Sequence, residues 1–296
     1  MSVAAGQGNG KITVPEILSR KSVQSPQIPS SRRKITCLTA YDYPTARLLD
    51  DAGVDILLVG DSLGMVVLGY ENTLPVTLEE MLHHTRAVRR GTRHALLVAD
   101  MPFGTYQGDT AEAVRNAIRF VKEAGAEAVK VEGGERKMDL IARLVDAQIP
   151  VMGHIGLTPQ SQHLFGGFKV QGKSLQAAEQ LFRDAQAIAA AGAFSVVLES
   201  IPRELAALIT EKIPIPTIGI GAGPECDGQV LVFHDLVGLT LGGAPKFARC
   251  YADVAGTISR AAREYLDDVR SGSFPADAES FHMPAEMRER LTAALR

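Results

Sequence analysis

The sequence predicts an α/β fold of the (β/α)8 kind, a TIM barrel with a short N-terminal helix and a C-terminal helical extension. Three observations predict it. First, an Ala-Gly pair leads three times into a short apolar run that ends in an acid: Ala52-Gly53 to Asp61, Ala124-Gly125 to Glu132, and Ala191-Gly192 to Glu199. The acid falls nine, eight and eight residues after the Ala, so each unit reads as helix end, Gly cap, buried strand and a carboxylate at the strand's C-terminal tip. Second, the strand candidates are continuous Val/Ile/Leu runs rather than alternating ones, as a parallel sheet covered by helices requires. Third, eight such runs alternate with helical patterns, and functional side chains stand at nearly every strand end. That distribution favours a closed barrel over a doubly wound sheet, whose ligands gather at one switch point.

The elements follow in order. Residues 1–10 are small and Gly-rich and read as a tail, 11–21 as a short helix, and 22–33, rich in Ser, Pro and Gln, as a linker. Strands are expected near 35–41, 56–61, 96–101, 128–132, 150–155, 195–200, 216–220 and 236–240. Helices are expected near 44–52, 77–91, 110–124, 136–147, 174–191, 203–211 and 226–234, with a long amphipathic helix at about 248–270. Thr77-Leu-Glu-Glu80 and Asp109-Thr-Ala-Glu112 have the form of capping boxes, in which side chains satisfy the orphan amides of the first turn. Val114, Ala117, Ile118 and Val121 share a helical face suited to a barrel wall. The last segment is a loop and a charged helix from Pro284 to Arg296. In domain terms, 1–30 is a tail with a short helix, 31–272 the catalytic barrel and 273–296 an extension.

Composition narrows the function classes. The chain has 296 residues, 46 % of them hydrophobic, ample for a large core. Its net charge is −3 with both signs mixed, aromatics are 5 %, and Trp is absent, so neither a basic nucleic-acid face nor a base-stacking surface is indicated. The run from Arg86 to Arg93 lies on an expected helix and reads as a solvated face. Cys37, Cys226 and Cys250 are scattered, form no zinc spacing and suit a reducing compartment. With no apolar run near membrane-spanning length, a cytoplasmic protein without membrane partners is expected.

Five strand ends carry candidate chemistry: Asp61-Ser62, Asp100, Lys130 with Glu132, His154, and Glu199. Lys130 and Glu132 are two residues apart, so in a strand they point to the same side, and the lumen mouth is a cheaper place for charges than the layer beneath the helices. Asp61, Asp100 and Glu132 end the second, third and fourth strands. Converging carboxylates repel one another unless a cation lies between them, and an all-oxygen set suits Mg²⁺. Taken singly, each acid can instead be a helix N-cap. Lys130 can neutralise a substrate carboxylate or an oxyanion, or pair with Glu132. Glu199, two strands from the triad, suits proton transfer better than ligation. His154 can help hold or polarise a carbonyl, or be structural. His83, His84 and His234 have no partner spacing. Gly219-Ile-Gly-Ala-Gly223 lies where barrels often bind phosphate, but lacks the dinucleotide spacing and reads as a tight turn.

The strings Leu38-Thr-Ala-Tyr-Asp-Tyr43, Val59-Gly-Asp-Ser-Leu-Gly64, Val129-Lys-Val-Glu-Gly-Gly134, Gly153-His-Ile-Gly-Leu-Thr-Pro-Gln-Ser161, Gly219-Ile-Gly-Ala-Gly223 and Asp227-Gly-Gln-Val-Leu-Val232, in this order, resemble the 3-methyl-2-oxobutanoate (ketopantoate) hydroxymethyltransferase family from about residue 12 to 282. The resemblance implies a (β/α)8 barrel, Mg²⁺, and hydroxymethyl transfer from 5,10-methylenetetrahydrofolate to 3-methyl-2-oxobutanoate, the first committed step of pantothenate synthesis. By position it implies Asp61, Asp100 and Glu132 as the metal set, Asp61, Ser62, Asp100 and Lys130 as keto-acid contacts, Glu199 as proton acceptor and His154 near the substrate. It also implies self-association into a homodecamer. Phe168 stands where many members have Tyr, and the N-terminal tail and the segment after His282 exceed the usual length. The alternatives of a different kind are a Mg²⁺-dependent C–C lyase or mutase of phosphoenolpyruvate or pyruvate type, and a non-catalytic anion-binding barrel.

Overall fold

A computed structural model describes residues 10–21, 34–167 and 169–296. The expected tail (but for Gly10), the linker and Phe168 lie outside the described residues. Eight parallel strands close into one barrel, each paired with its sequence neighbours and the last with the first. They are β1 (Ile35–Thr39), β2 (Ile56–Val59), β3 (Leu96–Asp100), β4 (Ala128–Glu132), β5 (Val151–Gly156), β6 (Ser195–Glu199), β7 (Thr217–Ile220) and β8 (Gly228–Leu231).

The helices are α1 (Val14–Ser19), α2 (Tyr43–Asp51), α3 (Leu63–Val66), α4 (Leu78–Gly91), α5 (Thr110–Ala124), α6 (Met138–Asp146), α7 (Gln162–Phe165), α8 (Leu175–Ala190), α9 (Arg203–Lys212), α10 (Phe233–Leu236), α11 (Val254–Ser271) and α12 (Ala285–Ala294). At all three repeated Ala-Gly pairs the glycine is left-handed, with φ of 88° at Gly53, 73° at Gly125 and 92° at Gly192. That conformation turns each helix end back toward the next strand at no Cβ cost. The Thr77 capping box is complete. Asp109 caps α5 by accepting from the Ala111 and Glu112 amides, without the reciprocal bond from the Glu112 side chain.

Two expectations are corrected. The eighth strand is not 236–240 but Gly228–Leu231, inside the segment expected as a helix over 226–234. The strand is short and opens on Gly-Gln, so it carries little apolar signal. Its Gly228 is required by packing: a Cβ there would lie 2.5 Å from the Ile35 carbonyl oxygen and 2.8 Å from Ile218. The buried face of α5 is Ala113, Ala117, Phe120 and Ala124, while Ile118 and Val121 are exposed. Small residues let the helix approach the strands closely, which turns the larger branched side chains to its flank.

Two apolar layers result. One lies between strands and helices, built from residues such as Leu57, Val59, Leu97, Val129, Ile141 and Ile188. The other fills the lumen with inward-facing Ile35, Ile56, Leu58, Leu96, Val98, Met152, Ile218 and Val230. Ile12 and Ile17, on and before α1, belong to this inner cluster, so the N-terminal segment closes the barrel floor. Polar contacts hold it there: Ile12 N donates to His94 O, Lys11 pairs with Glu127 at 2.6 Å, Arg20 with Asp55 at 2.8 Å and Lys21 with Asp227 at 2.9 Å. Helices α11 and α12 have no buried residue. No helix among the described residues is long and apolar enough to cross a membrane.

Candidate active site

The inward alternation that gives the lower lumen its Ile, Leu and Val places polar side chains at the upper ends of the same strands. Lys130 and Glu132 both point inward, as their spacing predicts, and both are buried. A cavity of about 580 Å³ at the C-terminal mouth is lined by Asp61, Ser62, Asp100, Lys130, Glu132, His154 and Glu199, so every residue singled out from the sequence meets there. Its apolar wall includes Leu58, Val197, Ile220, Val230 and Val232, and the segment from Thr240 to Phe247 lines its rim.

Lys130 is the hub. Its Nζ lies 2.9 Å from Asp100 Oδ1, 3.8 Å from Glu132 Oε1 and 3.1 Å from His154 Nδ1. Burial works against the ammonium, but Asp100, Glu132 and Asp61 together raise its pKa, so it stays charged. His154 bridges two carboxylates: Nδ1 is 3.3 Å from Glu132 Oε1 and Nε2 is 3.1 Å from Glu199 Oε2. Burial and Lys130 disfavour the imidazolium, yet the two carboxylates prevail and push its pKa up to about 9. Glu199 is held beside it by close backbone packing. Leu157 N donates to Glu199 O at 2.9 Å, and Gly156, at φ 95°, leaves no room for a Cβ against that same carbonyl.

The acids fare differently. Burial, then repulsion from Asp100 and Glu132, holds the Asp61 carboxyl well above the usual range. Burial also raises Asp100, against the pull of Lys130. Burial would raise Glu132 too, but His154, Lys130 and the Gln160 amide hold it low. None of the three is a helix cap: Asp100 Oδ2 accepts from Asp61 N at 3.0 Å, and the N-cap of α3 is Ser62, whose hydroxyl bonds Tyr41 Oη at 2.8 Å instead of the helix.

Among the described residues no group of three or more His, Cys, Asp and Glu side chains is arranged around one metal position. The donor set nonetheless suits a hard cation. Four carboxylates (Asp61, Asp100, Glu132, Glu199) face one ammonium and one imidazolium, a surplus of negative charge that a divalent ion would cancel. Asp100 Oδ1 and Glu132 Oε1 are buried with Lys130 and His154 as their charged neighbours, and oxygen-only ligation is the preference of Mg²⁺.

A family model described as ketopantoate hydroxymethyltransferase matches residues 21–277. The chain belongs to the ketopantoate hydroxymethyltransferase family. Membership makes it a hydroxymethyl-transferring enzyme of pantothenate synthesis. It is 58 % identical to the 3-methyl-2-oxobutanoate hydroxymethyltransferase of Koribacter versatilis, over 98 % of this chain and 96 % of that one. It is 56 % identical to that of Carboxydothermus hydrogenoformans, over 90 % and 96 %. Among solved structures, a 2,3-dimethylmalate lyase described as a PEP mutase/isocitrate lyase superfamily member shares the fold at TM-score 0.55 and 17 % identity, covering 94 % of this chain and 95 % of that one. A phosphonopyruvate hydrolase solved with oxalate and Mg²⁺ shares it at TM-score 0.54 and 17 % identity, covering 89 % and 94 %.

For the ketopantoate hydroxymethyltransferase fold, strand-tip logic found the charged residues and missed their uncharged supports. Gln160 sits in the 3-10 turn Pro159–Ser161 and Tyr106 in the loop after β3, both buried. The rim segment from Thr240 to Phe247 was hidden by the misplaced eighth strand. Its one signal is Gly242-Gly243-Ala-Pro245, a turn composition inside the supposed strand region's flank.

Proposed function

We propose that the chain transfers a hydroxymethyl group from 5,10-methylenetetrahydrofolate to 3-methyl-2-oxobutanoate, giving 2-dehydropantoate and tetrahydrofolate. The observation that carries this reading is the gathering of Lys130, His154, Glu199 and the acid set in one cavity of about 580 Å³ with an apolar wall. A small branched keto acid fills part of that volume, its carboxylate and keto oxygen toward Lys130 and its isopropyl group toward Val197, Ile220 and Val230. The remainder has room for a second substrate.

Mg²⁺ would be held by Asp61, Asp100 and Glu132, where it supplies Lewis-acid stabilisation of charge on the keto oxygen. Lys130 places a fixed positive charge beside the same oxygens. Glu199 takes the proton from C3, and the electron pair released moves toward the keto oxygen as the enolate forms. C3 then attacks the methylene carbon carried by the folate. A carbon–carbon bond forms, the two carbon–nitrogen bonds to the folate break, water supplies the product hydroxyl, and the released folate nitrogens take up the proton removed from C3 and the remaining proton of the water. His154, whose Nε2 lies 3.1 Å from Glu199 Oε2, keeps the base oriented through this charge pairing. Free thiols, two of them buried, suit a cytoplasmic location.

Proton NMR of 3-methyl-2-oxobutanoate in D₂O tests the reading. Metal-dependent loss of the C3 signal, abolished by EDTA, followed by product on adding the folate, is the expected course. Glu199→Gln should retain keto-acid binding and lose at least about 10²-fold in exchange and turnover. Exchange at the wild-type rate in this variant would remove Glu199 from the base role, and no product from the wild type would overturn the assignment.

We also propose that the protein self-associates. Helix α11 presents Ile258, Tyr265, Leu266 and Val269, each between 44 % and 56 % exposed, along one face, and none of its 18 residues is buried, so its apolar face is left for a partner to cover.

A further inference from the structure

Gln160 lies across the acid set with every hydrogen-bonding position of its side chain used. Its backbone N donates to Glu132 Oε2 at 3.0 Å. Its side-chain Nε2 donates to Asp61 Oδ2 at 2.8 Å and to Met101 O at 3.0 Å. Its Oε1 accepts from Tyr106 Oη at 2.6 Å and from Gln107 Nε2 at 3.1 Å. Tyr106 Oη in turn accepts from Glu132 N at 3.1 Å. Flipping the amide would set acceptor against acceptor at Asp61 and Met101 and donor against donor at Gln107, so the orientation is fixed by the network. Gln160 is 6 % and Tyr106 3 % exposed. The closed circuit ties the tips of β2, β3 and β4 to the turn after β5, and no residue in it carries charge except the two acids it holds.

From this geometry we infer that Gln160, anchored by Tyr106, is a positioning residue that sets Asp61 and Glu132 for divalent-cation binding. The inference rests on the proposed role of the acid set. An amide does this where a charged group would not. It engages Asp61 Oδ2 without neutralising the carboxylate, leaving the other oxygen for a cation. A carboxylate at 160 would place like charge against Asp61, and an ammonium would compete with the metal. Residues that hold metal-ligating side chains typically contribute 10–100-fold to metal affinity.

The test uses full-length protein and Mn²⁺ as the probe, with unbound ion followed by electron paramagnetic resonance. Gln160→Leu, similar in size and unable to hydrogen-bond, should weaken Mn²⁺ binding by about 10–100-fold. The Mg²⁺ concentration for half-maximal turnover should rise in parallel, with kcat largely recovered at saturating Mg²⁺. Tyr106→Phe should shift both in the same direction by less. A purely structural role would lower the melting temperature while leaving the affinity of folded protein unchanged, so Mn²⁺ binding within about twofold of wild type in both folded variants overturns the inference. If Gln160→Leu does not fold, Tyr106→Phe decides by the same criterion. Wild-type protein that binds no Mn²⁺ would instead overturn the acid set as the cation site, and this inference with it.

Discussion

At His154 two carboxylates and one ammonium compete for an imidazole. Against burial and Lys130, Glu132 and Glu199 win, raising it from 6.5 to about 9. A histidine whose pKa is raised by folding binds its proton more tightly in the native state, so its stabilising contribution is complete below about pH 6.5 and is lost as pH rises through about 9. Metal-free protein should therefore show a urea midpoint that falls between pH 6.5 and 9, and His154→Asn should flatten the profile over that window. An unchanged slope in the variant would mean that His154 is neutral throughout. The positions of Asp61, Asp100, Lys130, Glu132, His154 and Glu199 were legible because each follows from strand-end placement and the two-residue period. Gln160 and Tyr106 were not, because their roles arise from loops that fold over the mouth, where no periodicity constrains which side chain points in.

Among the elements, α1 is short and yet structurally consequential. Ile17 is fully buried in the lumen cluster with Ile35, Ile56 and Leu96. Ile17→Ala should cost about 2–5 kcal/mol, the range for large-to-small changes in a close-packed core, read as a lower urea midpoint. A cost below about 1 kcal/mol would mean that the floor collapses to refill the space. Seven of the eight strands were legible as apolar runs between caps. The eighth was not, because Gly228 and Gln229 give it a weak signal, while Leu236–Thr240 is apolar enough to imitate a strand and in fact leads into the rim loop. The α5 face was read one step off for a related reason. Hydrophobicity marks the largest apolar residues, whereas close approach to a barrel selects small ones, and here Ala113, Ala117 and Ala124 do the facing.

For the whole molecule, the apolar face of α11 is the largest departure from a self-sufficient barrel. Sedimentation should give a mass that is a multiple of 31.7 kDa. The double variant Ile258→Asp, Val269→Asp should shift the protein to a lower mass, since two buried carboxylates per helix are not tolerated in an apolar interface. A wild type that sediments as a single chain would remove the self-association proposal.

The sealed floor has a kinetic consequence. Ile12 and Ile17 belong to the apolar lumen cluster beneath the cavity, whose charged groups stand at the strand tips. On the proposed reading the keto acid, set against Lys130, would lie beneath the folate. The deeper reactant should then bind first and its product leave last, an order that product-inhibition kinetics would reveal as sequential and ordered.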